Sequence, residues 1–547
     1  MSKYYVISNL KSGLHFTLDG LKKKIASHLR LPVCAIEHCA ILKQSVDARK
    51  KPRLYFVLQM EFTLAEGFEL KNLPQGVLAF EKSKLVIETP DDLKALKGHV
   101  KKDLKVIVVG AGPAGLFAAL ALAEAGIQTL VLERGKPVET RMQDIGDLRA
   151  KGILNPESNI CFGEGGAGAY TDGKLYTRIK HPYVRWVLKR FVDFGAPEET
   201  LTLAHPHLGT DKLLLIVKNM REHMKSLGVE FLFQTKMKRV LSREGAACGV
   251  QLEDGREIAA DHVVLAIGHS ARDTIETLYA EGIQIEAKDF SVGVRTEHEQ
   301  AFINESQFGQ AKRHEVLGSA DYSLTCQVPD SKMKERGVYS FCMCPGGFIV
   351  PSPTELGHMA INGMSNSNRS ADFANSGVVV QVTAEDLKRE GYKDNALIGI
   401  AFQRDLEQRT FKKTKKAYAA PAMLIADFLK GKSSGRLAKS NFRPALEACE
   451  IMDIFPNWMV EALRFSFKNF DRKIRGYAQV DANLVAVESR TSSPIRITRS
   501  EEGESVSLKG LYPVGEGAGY AGGIVSAAVD GAIAAKNILA QHVTNLS

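Results

Sequence analysis

Residues 105–135 read KVIVVGAGPAGLFAALALAEAGIQTLVLERG and constrain the fold more than any other stretch. An apolar strand leads into a glycine turn, where Gly110, Gly112 and Gly115 have G-x-G-x-x-G spacing. A small-residue helix and a second apolar strand follow, and that strand ends at Glu133. Strand, glycines, helix, strand and acidic residue in this order predict a βαβ unit that binds a dinucleotide.

Each part of this unit has a physical role in holding a dinucleotide. Gly110 permits the tight turn, Gly112 lets a pyrophosphate approach the backbone, and Gly115 lets the helix pack closely on the strand. The helix N-terminus offers free N–H groups and a partial positive charge to phosphates, and the carboxylate accepts hydrogen bonds from ribose hydroxyls. The predicted binding residues of this unit are Gly110, Ala111, Gly112, Pro113, Ala114, Gly115 and Glu133.

Two arginines follow the ribose-binding acid closely. Arg134 is the next residue, and Arg141 lies in the polar stretch GKPVETRMQDIGDL. Either guanidinium has the charge to neutralise a cofactor phosphate, and the alternative is that both lie in a solvated loop. We favour a phosphate contact for Arg141 and leave Arg134 open between the two interpretations.

A second glycine-rich stretch occupies residues 158–175, SNICFGEGGAGAYTDGKL. No apolar strand precedes its glycines and no long helix follows at once, so it is not a second dinucleotide fingerprint. Such glycine density indicates backbone that approaches another group closely, and beside a bound dinucleotide that group is the cofactor; a plain flexible loop is the alternative. The predicted cofactor contacts here are Gly165, Gly166, Ala167 and Gly168.

An apolar strand at residues 262–266 ends in another small-residue turn. The turn consists of Ala266, Ile267 and Gly268. Because these side chains are small or absent, the backbone here can pass close to a bound cofactor. We therefore expect these three residues to lie along the cofactor.

The C-terminal stretch returns to the same pattern. LYPVGEGAGYAGG at residues 511–523 places a short strand before Gly515 and Glu516. A glycine turn containing Gly522 and Gly523 follows, and a long small-residue helix begins at about Ile524. The sequence thus predicts a second helix N-terminus that faces a ligand.

The length of 547 residues predicts several domains. Residues 1–105 hold 19 Lys and Arg against 11 Asp and Glu, a net charge of +8 out of +9 for the chain, which predicts a separate basic module. Residues from 290 to about 476 lack the alternation of strands and helices that βαβ units show, which predicts an insertion.

The fold class expected is α/β: a discontinuous Rossmann-like cofactor domain with an inserted α+β cap domain and a small N-terminal α+β domain. The expected segments are 1–95 (N-terminal domain), 104–289 (cofactor domain, first part), 290–476 (cap) and 477–547 (cofactor domain, C-terminal part).

The most informative part of the insertion is GVYSFCMCPGGFIVP, residues 337–351. With residues 358–365 it predicts a hairpin whose turn is Pro-Gly-Gly. Cys342 and Cys344 are two residues apart, so on a regular strand they face the same side. They are either thiols near a redox cofactor or two buried small hydrophobic residues, and we favour the second interpretation.

Composition excludes several classes of protein. No apolar run approaches the roughly 20 residues that a membrane helix needs, and the N-terminus lacks the apolar core of a signal peptide. The eight cysteines show neither a CxxC pair nor the spacing of a metal site, so no metal is expected. We expect a cytoplasmic protein with no membrane span.

These motifs together resemble the FAD-binding domain of the glutathione-reductase superfamily, on the residues VIVVGAGPAGLFAALALAEAGIQTLVLERG, AIG at 266–268 and LYPVGEGAGYAGG. The ERG ending and discontinuous layout are closer to its second group, which includes hydroxylases, amine oxidases and geranylgeranyl reductases. GEGGAGAYTDGKL, PHLGTDKL, GVYSFCMCPGG, INGMSNSN and ESRTSSPIR are similar to motifs of bacterial FAD-dependent dehydrogenases of unknown substrate. The resemblance spans nearly the whole chain.

The resemblance implies a role for each cofactor motif. The first glycine turn would cradle the FAD pyrophosphate, and Glu133 would hold the adenosine ribose. Glu516 would accept from a ribityl hydroxyl or lie near phosphate, although many relatives have Asp there. Gly522, Gly523 and Ile524 would place a helix N-terminus against the pyrimidine edge of the flavin, where it stabilises the reduced form.

The function expected is that of an FAD-dependent oxidoreductase acting on a small molecule. The absence of a second strand-linked G-x-G-x-x-G leaves NAD(P)H only as a transient reductant at the flavin. No catalytic residue is assigned; the candidates are Cys342, Cys344, Glu488 and Arg490. Two alternatives remain: a flavoprotein that acts on nucleic acid (RNA) through its basic N-terminal domain, and a flavin-binding redox sensor without turnover. The oligomeric state is unknown from sequence.

Overall fold

The structure is a computed structural model that describes residues 3–101, 103–330, 334–479 and 481–544. The outer ends of the first and last expected segments lie outside the described residues. The strands are β1 Tyr4–Ser12, β2 Ile36–Lys50, β3 Arg53–Leu64, β4 Val77–Phe80, β5 Lys105–Val109, β6 Gln128–Leu132, β7 Glu230–Leu232, β8 Met237–Arg243, β9 Ala246–Leu252, β10 Glu257–Ala259, β11 His262–Leu265, β12 Ile285–Ala287, β13 Phe290–Glu299, β14 Thr325–Asp330, β15 Lys334–Cys344, β16 Phe348–Pro351, β17 Ile361–Met364, β18 Phe373–Val382, β19 Ala420–Leu424, β20 Leu446–Ala448, β21 Asn483–Glu488, β22 Ile495–Ile497 and β23 Leu511–Pro513.

Helices connect these strands. They are α1 Leu18–Leu29, α2 Asp91–Leu96, α3 Pro113–Glu124, α4 Val138–Lys151, α5 Tyr183–Asp193, α6 Gly209–Ser226, α7 Arg272–Ala280, α8 Gln300–Phe308, α9 Ala384–Arg389, α10 Ile398–Lys412, α11 Ile425–Lys430, α12 Asn457–Lys473 and α13 Ile524–Gln541. None of the described helices is long and apolar enough to cross a lipid bilayer.

A five-stranded parallel sheet with the order β23-β11-β5-β6-β7 forms the centre of the cofactor domain. Its first and last strands in sequence come from opposite ends of the chain. Helix α3 is apolar on all sides because it lies between this sheet and α13. The two helices approach closely, since a Cβ at Gly531 of α13 would lie 1.9 Å from the carbonyl oxygen of Ala114. The Rossmann-like α/β fold is therefore present as expected.

A second, seven-stranded sheet has the order β14-β15-β18-β13-β21-β19-β20. All its pairs are antiparallel except β19 with β20. Strand β21, from the part of the chain expected to have returned to the cofactor domain, lies between β13 and β19. The chain thus leaves this sheet after Glu488, and the expected end of the insertion at residue 476 is corrected accordingly.

The chain enters and leaves the second sheet through one short ribbon. Strand β12 pairs antiparallel with β22, with Ile285 opposite Ile497 and Ala287 opposite Ile495. Both ends of the ribbon have buried isoleucines. The two connections between the sheets are therefore hydrogen-bonded to each other.

The expected hairpin around the Pro-Gly-Gly turn is wrong. Strand β15 pairs with β14 and β18, whereas β16 pairs with β17 in a separate two-stranded sheet. Gly346, with φ +48°, turns the chain between the two sheets; a Cβ there would lie 1.9 Å from the carbonyl oxygen of Arg369. The pairing of β15 and β16 with different strands therefore depends on the contact between Gly346 and the segment around Arg369, which the local sequence pattern does not reveal.

The N-terminal residues form a four-stranded antiparallel sheet in the order β2-β3-β1-β4, covered by α1. The helix buries Leu21, Ile25 and Leu29 against the sheet. This unit is joined to the rest of the protein through β2, because Gln44 exchanges backbone hydrogen bonds with Thr202 and Ala204.

Candidate functional site

A cavity of about 840 Å³ lies between the carboxyl edge of the parallel sheet and strands β14 and β15 of the second sheet. Residues that end or follow four parallel strands line it, which is where open α/β sheets bind ligands. The sequence-predicted residues on its wall are Gly110, Gly112, Pro113, Ala114, Glu133, Arg134, Gly166, Ala167, Gly168, Ala266, Ile267, Gly268, Gly515, Glu516, Gly522, Gly523 and Ile524.

Ala111, Gly115 and Gly165 lie behind this wall and shape it. The Ala111 carbonyl accepts a 2.8 Å hydrogen bond from the N–H of Gly165, which joins the two glycine-rich loops. A Cβ at Gly115 would lie 1.9 Å from the carbonyl oxygen of Gly110, so the helix packs against the turn as its spacing predicts. These residues position the backbone of the cavity without lining it.

Arg141 does not lie on the cavity wall, and the expected direct contact with a phosphate is wrong. Its side chain is fully buried, with 0% of the residue exposed. The guanidinium donates to the carbonyl oxygens of Asn159, Ile160, Glu164 and Gly166 at 2.7–3.0 Å. Arg141 therefore holds the second glycine-rich loop in place, because its donors are used by that loop.

Glu133 ties three backbone segments together. Its Oε1 accepts from the N–H groups of Gly135 and Gly163 at 2.8 and 3.0 Å, and its Oε2 accepts from Ala111 at 2.9 Å. The residue is 5% exposed and reaches the cavity wall. A carboxylate has about four acceptor positions, so Oε2 retains capacity for a ribose hydroxyl.

Arg134 lies on the cavity wall with its charge already paired. Its Nε donates to Glu157 at 2.6 Å and its two Nη atoms donate to Asp273 at 2.9–3.0 Å. The guanidinium lies over the ring of Phe162 at 4.0 Å. Because the guanidinium is held in place and its charge is paired, it can offer a planar surface for stacking, whereas it has no unpaired charge to offer a ligand.

The N-terminus of α13 forms the other end of the cavity. Apart from the adjacent residues in the chain, no heavy atom of the described residues lies within 4 Å of a Cβ built at Gly522, Gly523 or Gly268, so these backbones border open space. The first N–H groups of a helix have no intrahelical acceptor and point at this space. Glu516 lies nearby, with Oε1 3.7 Å from Nδ1 of His269.

These residues fit FAD. The α3 N-terminus and Gly166 would hold the pyrophosphate, and Glu133 would hold the adenosine ribose. The open glycine backbones and the α13 N-terminus at the far end have the donors and the space that a flavin ring requires. The described residues contain no group of three or more side chains that could hold a metal ion.

The four catalytic candidates from the sequence occupy different environments. Cys342 has φ +41° at a register shift in β15 and is exposed to the cavity, whereas Cys344 is buried. The expectation that both thiols face one side is therefore wrong, because the bulge rotates one of them. Although Cys342 is open to the cavity, desolvation by the surrounding protein raises the pKa of its thiol to about 12, which keeps it protonated.

Glu488 and Arg490 belong to buried ion pairs. Glu488 accepts from Arg295 at 2.7 Å beneath the cavity. Arg490 donates to Glu407 of α10 at 2.9 Å, and Glu407 also accepts from Arg272 of α7 at 2.8 Å. The second arrangement connects the two sheets, and Arg490 reaches the cavity wall. Glu488 and Arg490 therefore hold the protein segments around the cavity in place.

Sequence reasoning missed the polar residues on the side of the cavity that faces the second sheet. Asp172 and Lys174 lie there, and Lys174 donates to the carbonyl oxygen of Met343 in β15; Tyr339 of β15 and Asn362 of β17 line the same cavity. Asp172 and Lys174 belong to the stretch GEGGAGAYTDGKL, whose glycine pattern predicts a backbone contact but gives no signal for the charged residues after it. The place of Lys174 on the cavity wall becomes apparent only from its contact with β15, which is more than 160 residues away in sequence.

The fold and this cavity define the class of dinucleotide-binding α/β proteins. Family models match at residues 103–155 (FAD binding domain), 206–298 (pyridine nucleotide-disulphide oxidoreductase), 289–491 (FAD-dependent protein, C-terminal domain-like) and 6–63 (a domain of unknown function). An uncharacterized protein of Clostridium beijerinckii is 42% identical over 536 residues, which cover 97% of this chain and 98% of that protein. The chain therefore belongs to the FAD-dependent oxidoreductase family, and its cofactor is FAD.

Other relatives are more distant. Digeranylgeranylglycerophospholipid reductase 2 of Methanopyrus kandleri is 30% identical over 115 residues, 19% of this chain and 29% of that protein. The solved structure of CtdE in complex with FAD covers 81% of this chain and 88% of that chain at 11% identity, with a TM-score of 0.30. The GidA-related protein from Thermus thermophilus covers 34% and 72% at 15% identity, with a TM-score of 0.21. These low TM-scores support no functional inference.

Proposed function

We propose that this protein is a cytoplasmic FAD-dependent dehydrogenase or reductase that acts on a small molecule. When bound, FAD supplies two-electron chemistry, since its N5 accepts or returns a hydride. The observation that carries the proposal is the shape of the cavity. One wall is the FAD cradle from Gly110 to Glu133, and the opposite wall is β14 and β15 of the second sheet.

Different residues of the chain hold the cofactor and exclude water from the cavity. The two glycine-rich loops and the α3 N-terminus hold the phosphates, and the α13 N-terminus favours negative charge at its end of the cavity. Val338 and Phe341 of β15 help to exclude water from the opposite wall. A substrate between these walls is oriented against the ring and shielded from solvent.

We also propose a finer placement of the chain within the FAD-dependent oxidoreductases. The motifs favour the second group of the glutathione-reductase superfamily, and the local similarity to a digeranylgeranylglycerophospholipid reductase supports that placement. NAD(P)H is proposed only as a transient reductant that meets the flavin from the cavity. No catalytic acid or base is assigned.

Anaerobic stopped-flow reduction of the purified holoprotein tests the proposal. We expect a yellow protein with bound FAD, and mixing with NADH or NADPH separates two modes of action. Rapid bleaching of the flavin identifies a reductase linked to pyridine nucleotides. Slow bleaching by both nucleotides indicates direct oxidation of a metabolite, which a substrate screen would then identify. A colourless protein that takes up no FAD on reconstitution contradicts the proposal.

A further inference from the structure

Lys174 presents an ammonium group to the cavity. Its Nζ donates to the carbonyl oxygen of Met343 in β15 and lies 3.5 Å from Oδ2 of Asp172. The side chain is 19% exposed and lies on the cavity wall. An ammonium has three donors, and Met343 uses one of them, so donor capacity remains for a ligand.

The ion pairs around Lys174 leave an excess of positive charge. The Asp172 carboxylate accepts from Arg369, through Nε at 3.1 Å and also through Nη2, and from the hydroxyl of Ser365. Among the described residues, Asp172 is the only carboxylate in an ion pair with either Lys174 or Arg369. One carboxylate thus serves two cations, and the cluster carries a net charge of +1.

The neighbours of Lys174 do not cancel this charge. Burial lowers the pKa of Lys174, whereas Asp172, Cys344 and Cys342 raise it, and the net shift is upward, so the ammonium stays charged at neutral pH. Desolvation by the surrounding protein raises the pKa values of the Cys342 and Cys344 thiols, so both are neutral. The buried pair of Arg295 with Glu488 is neutral as a whole. The excess charge therefore faces the cavity.

The position of Lys174 separates it from the expected phosphate site. Gly166 lies against Gly112 at the α3 N-terminus, since a Cβ at Gly166 would be 3.1 Å from the Cα of Gly112. Gly168 instead lies against Ile524 at the α13 N-terminus, and the Thr171 hydroxyl donates to its carbonyl at 2.9 Å. The chain then runs away from the phosphate end, and Lys174 contacts β15 on the opposite wall.

We propose that Lys174 binds a carboxylate of the substrate, and that the substrate of this protein is a small organic acid. The ammonium orients the acid between β15 and the flavin end of the cavity, with Asp172 and Arg369 as positioning residues that hold the lysine in place. This inference rests on the proposed oxidoreductase function and specifies its substrate class.

Titration of the FAD-loaded protein with sodium benzoate tests this inference through the visible flavin spectrum, without turnover. Benzamide has the same shape without the charge and is the matched ligand. Lys174→Met removes the ammonium, and Lys174→Arg keeps a cation. Lys180→Met removes the same charge from an exposed residue that does not line the cavity.

We expect benzoate to shift the flavin bands saturably and benzamide to have little effect. Lys174→Met weakens benzoate binding by about tenfold or more, because a hydrogen bond to a charged group is lost, whereas Lys174→Arg and Lys180→Met change it by about threefold or less. Equal binding of benzoate and benzamide by the unmodified protein overturns the inference, even if Lys174→Met fails to fold.

Two further results also overturn it. One is a Lys174→Met protein that binds FAD and has the same benzoate affinity as the unmodified protein. The other is an FAD-loaded protein with no spectral response to benzoate, which leaves the proposed oxidoreductase function intact. Failure to bind FAD, by contrast, contradicts the proposed function itself, so the two failures are distinguishable.

Discussion

The carboxylate of Glu133 accepts a 3.0 Å hydrogen bond from the backbone N–H of Gly163, thirty residues further along the chain. This bond joins the end of the βαβ unit to the second glycine-rich loop. Glu133, the acid predicted to bind ribose, therefore also holds the second glycine-rich loop beside the first glycine turn, and its substitution affects both.

Glu133→Gln is expected to weaken FAD binding by about tenfold to a hundredfold. A glutamine has one acceptor oxygen, so its NH₂ group faces at least one of the backbone donors that Glu133 now satisfies, at a cost of about 1–3 kcal/mol. The dissociation constant follows from quenching of FAD fluorescence. Glu257→Gln, on exposed strand β10, is the control and keeps normal affinity. Unchanged affinity in Glu133→Gln contradicts the assigned role.

Arg141→Met is expected to destabilise the protein by about 3 kcal/mol or more, with FAD and without it. The substitution leaves three buried carbonyl oxygens of the glycine-rich loop, and the part-buried one of Gly166, without this donor. Denaturant unfolding of the apoprotein and the holoprotein measures the loss. A loss confined to the holoprotein would instead indicate a direct phosphate contact.

Gly522→Ala is expected to fold normally and to bind FAD about tenfold more weakly or worse. Beyond its neighbours in the chain, a Cβ at this position meets no atom of the residues that the structure describes within 4 Å, so it occupies the space where the flavin end of the cofactor is expected. Gly146→Ala in α4 is the matched control, since its Cβ is equally unobstructed and lies away from the cavity wall. Melting temperatures and FAD titrations separate folding from binding, and equal FAD affinity in both variants contradicts this placement.

The unfolding free energy is expected to fall as the pH drops from about 6.5 towards 4. Nε2 of buried His262 lies 2.7 Å from Nε2 of His542, and burial together with His542 lowers the pKa of His262 to about 4. The unfolded chain then binds a proton that the folded protein does not, which contributes at most about 1.4 kcal/mol per pH unit. His262→Gln should flatten this slope in denaturation measured between pH 4 and 7. An unchanged slope contradicts the contribution.

Local patterns predicted the cofactor half of the molecule well, for physical reasons. Gly110 and Gly115 stand where backbone must approach backbone, and Ile524 begins its helix where the small-residue pattern starts. Gly115 faces the nearby carbonyl of Gly110, whereas a Cβ at Gly110 would meet the carbonyl oxygen of the distant Ala266; in both cases the local glycine spacing records the requirement. Arg141 was misjudged because its partners are backbone carbonyls, which carry no mark in the sequence.

The second sheet was less predictable because its pairing is non-local. Strand β21 lies beside β13, almost two hundred residues earlier in the chain, and no turn chemistry connects them. The bulge at Cys342 depends on the partner strand β18, and the environment of Lys174 depends on β15. Each of these features follows from long-range packing.

The ribbon of β12 and β22 makes the two connections between the sheets into a single stem. A two-stranded stem bends more easily than it separates, yet the buried bonds from Arg272 and Arg490 to Glu407 join the sheets a second time. Swinging the second sheet open would expose those charges. Tyr176 and Ile179 are exposed and line the cavity, so small molecules can reach its interior past these two side chains while the sheets stay joined.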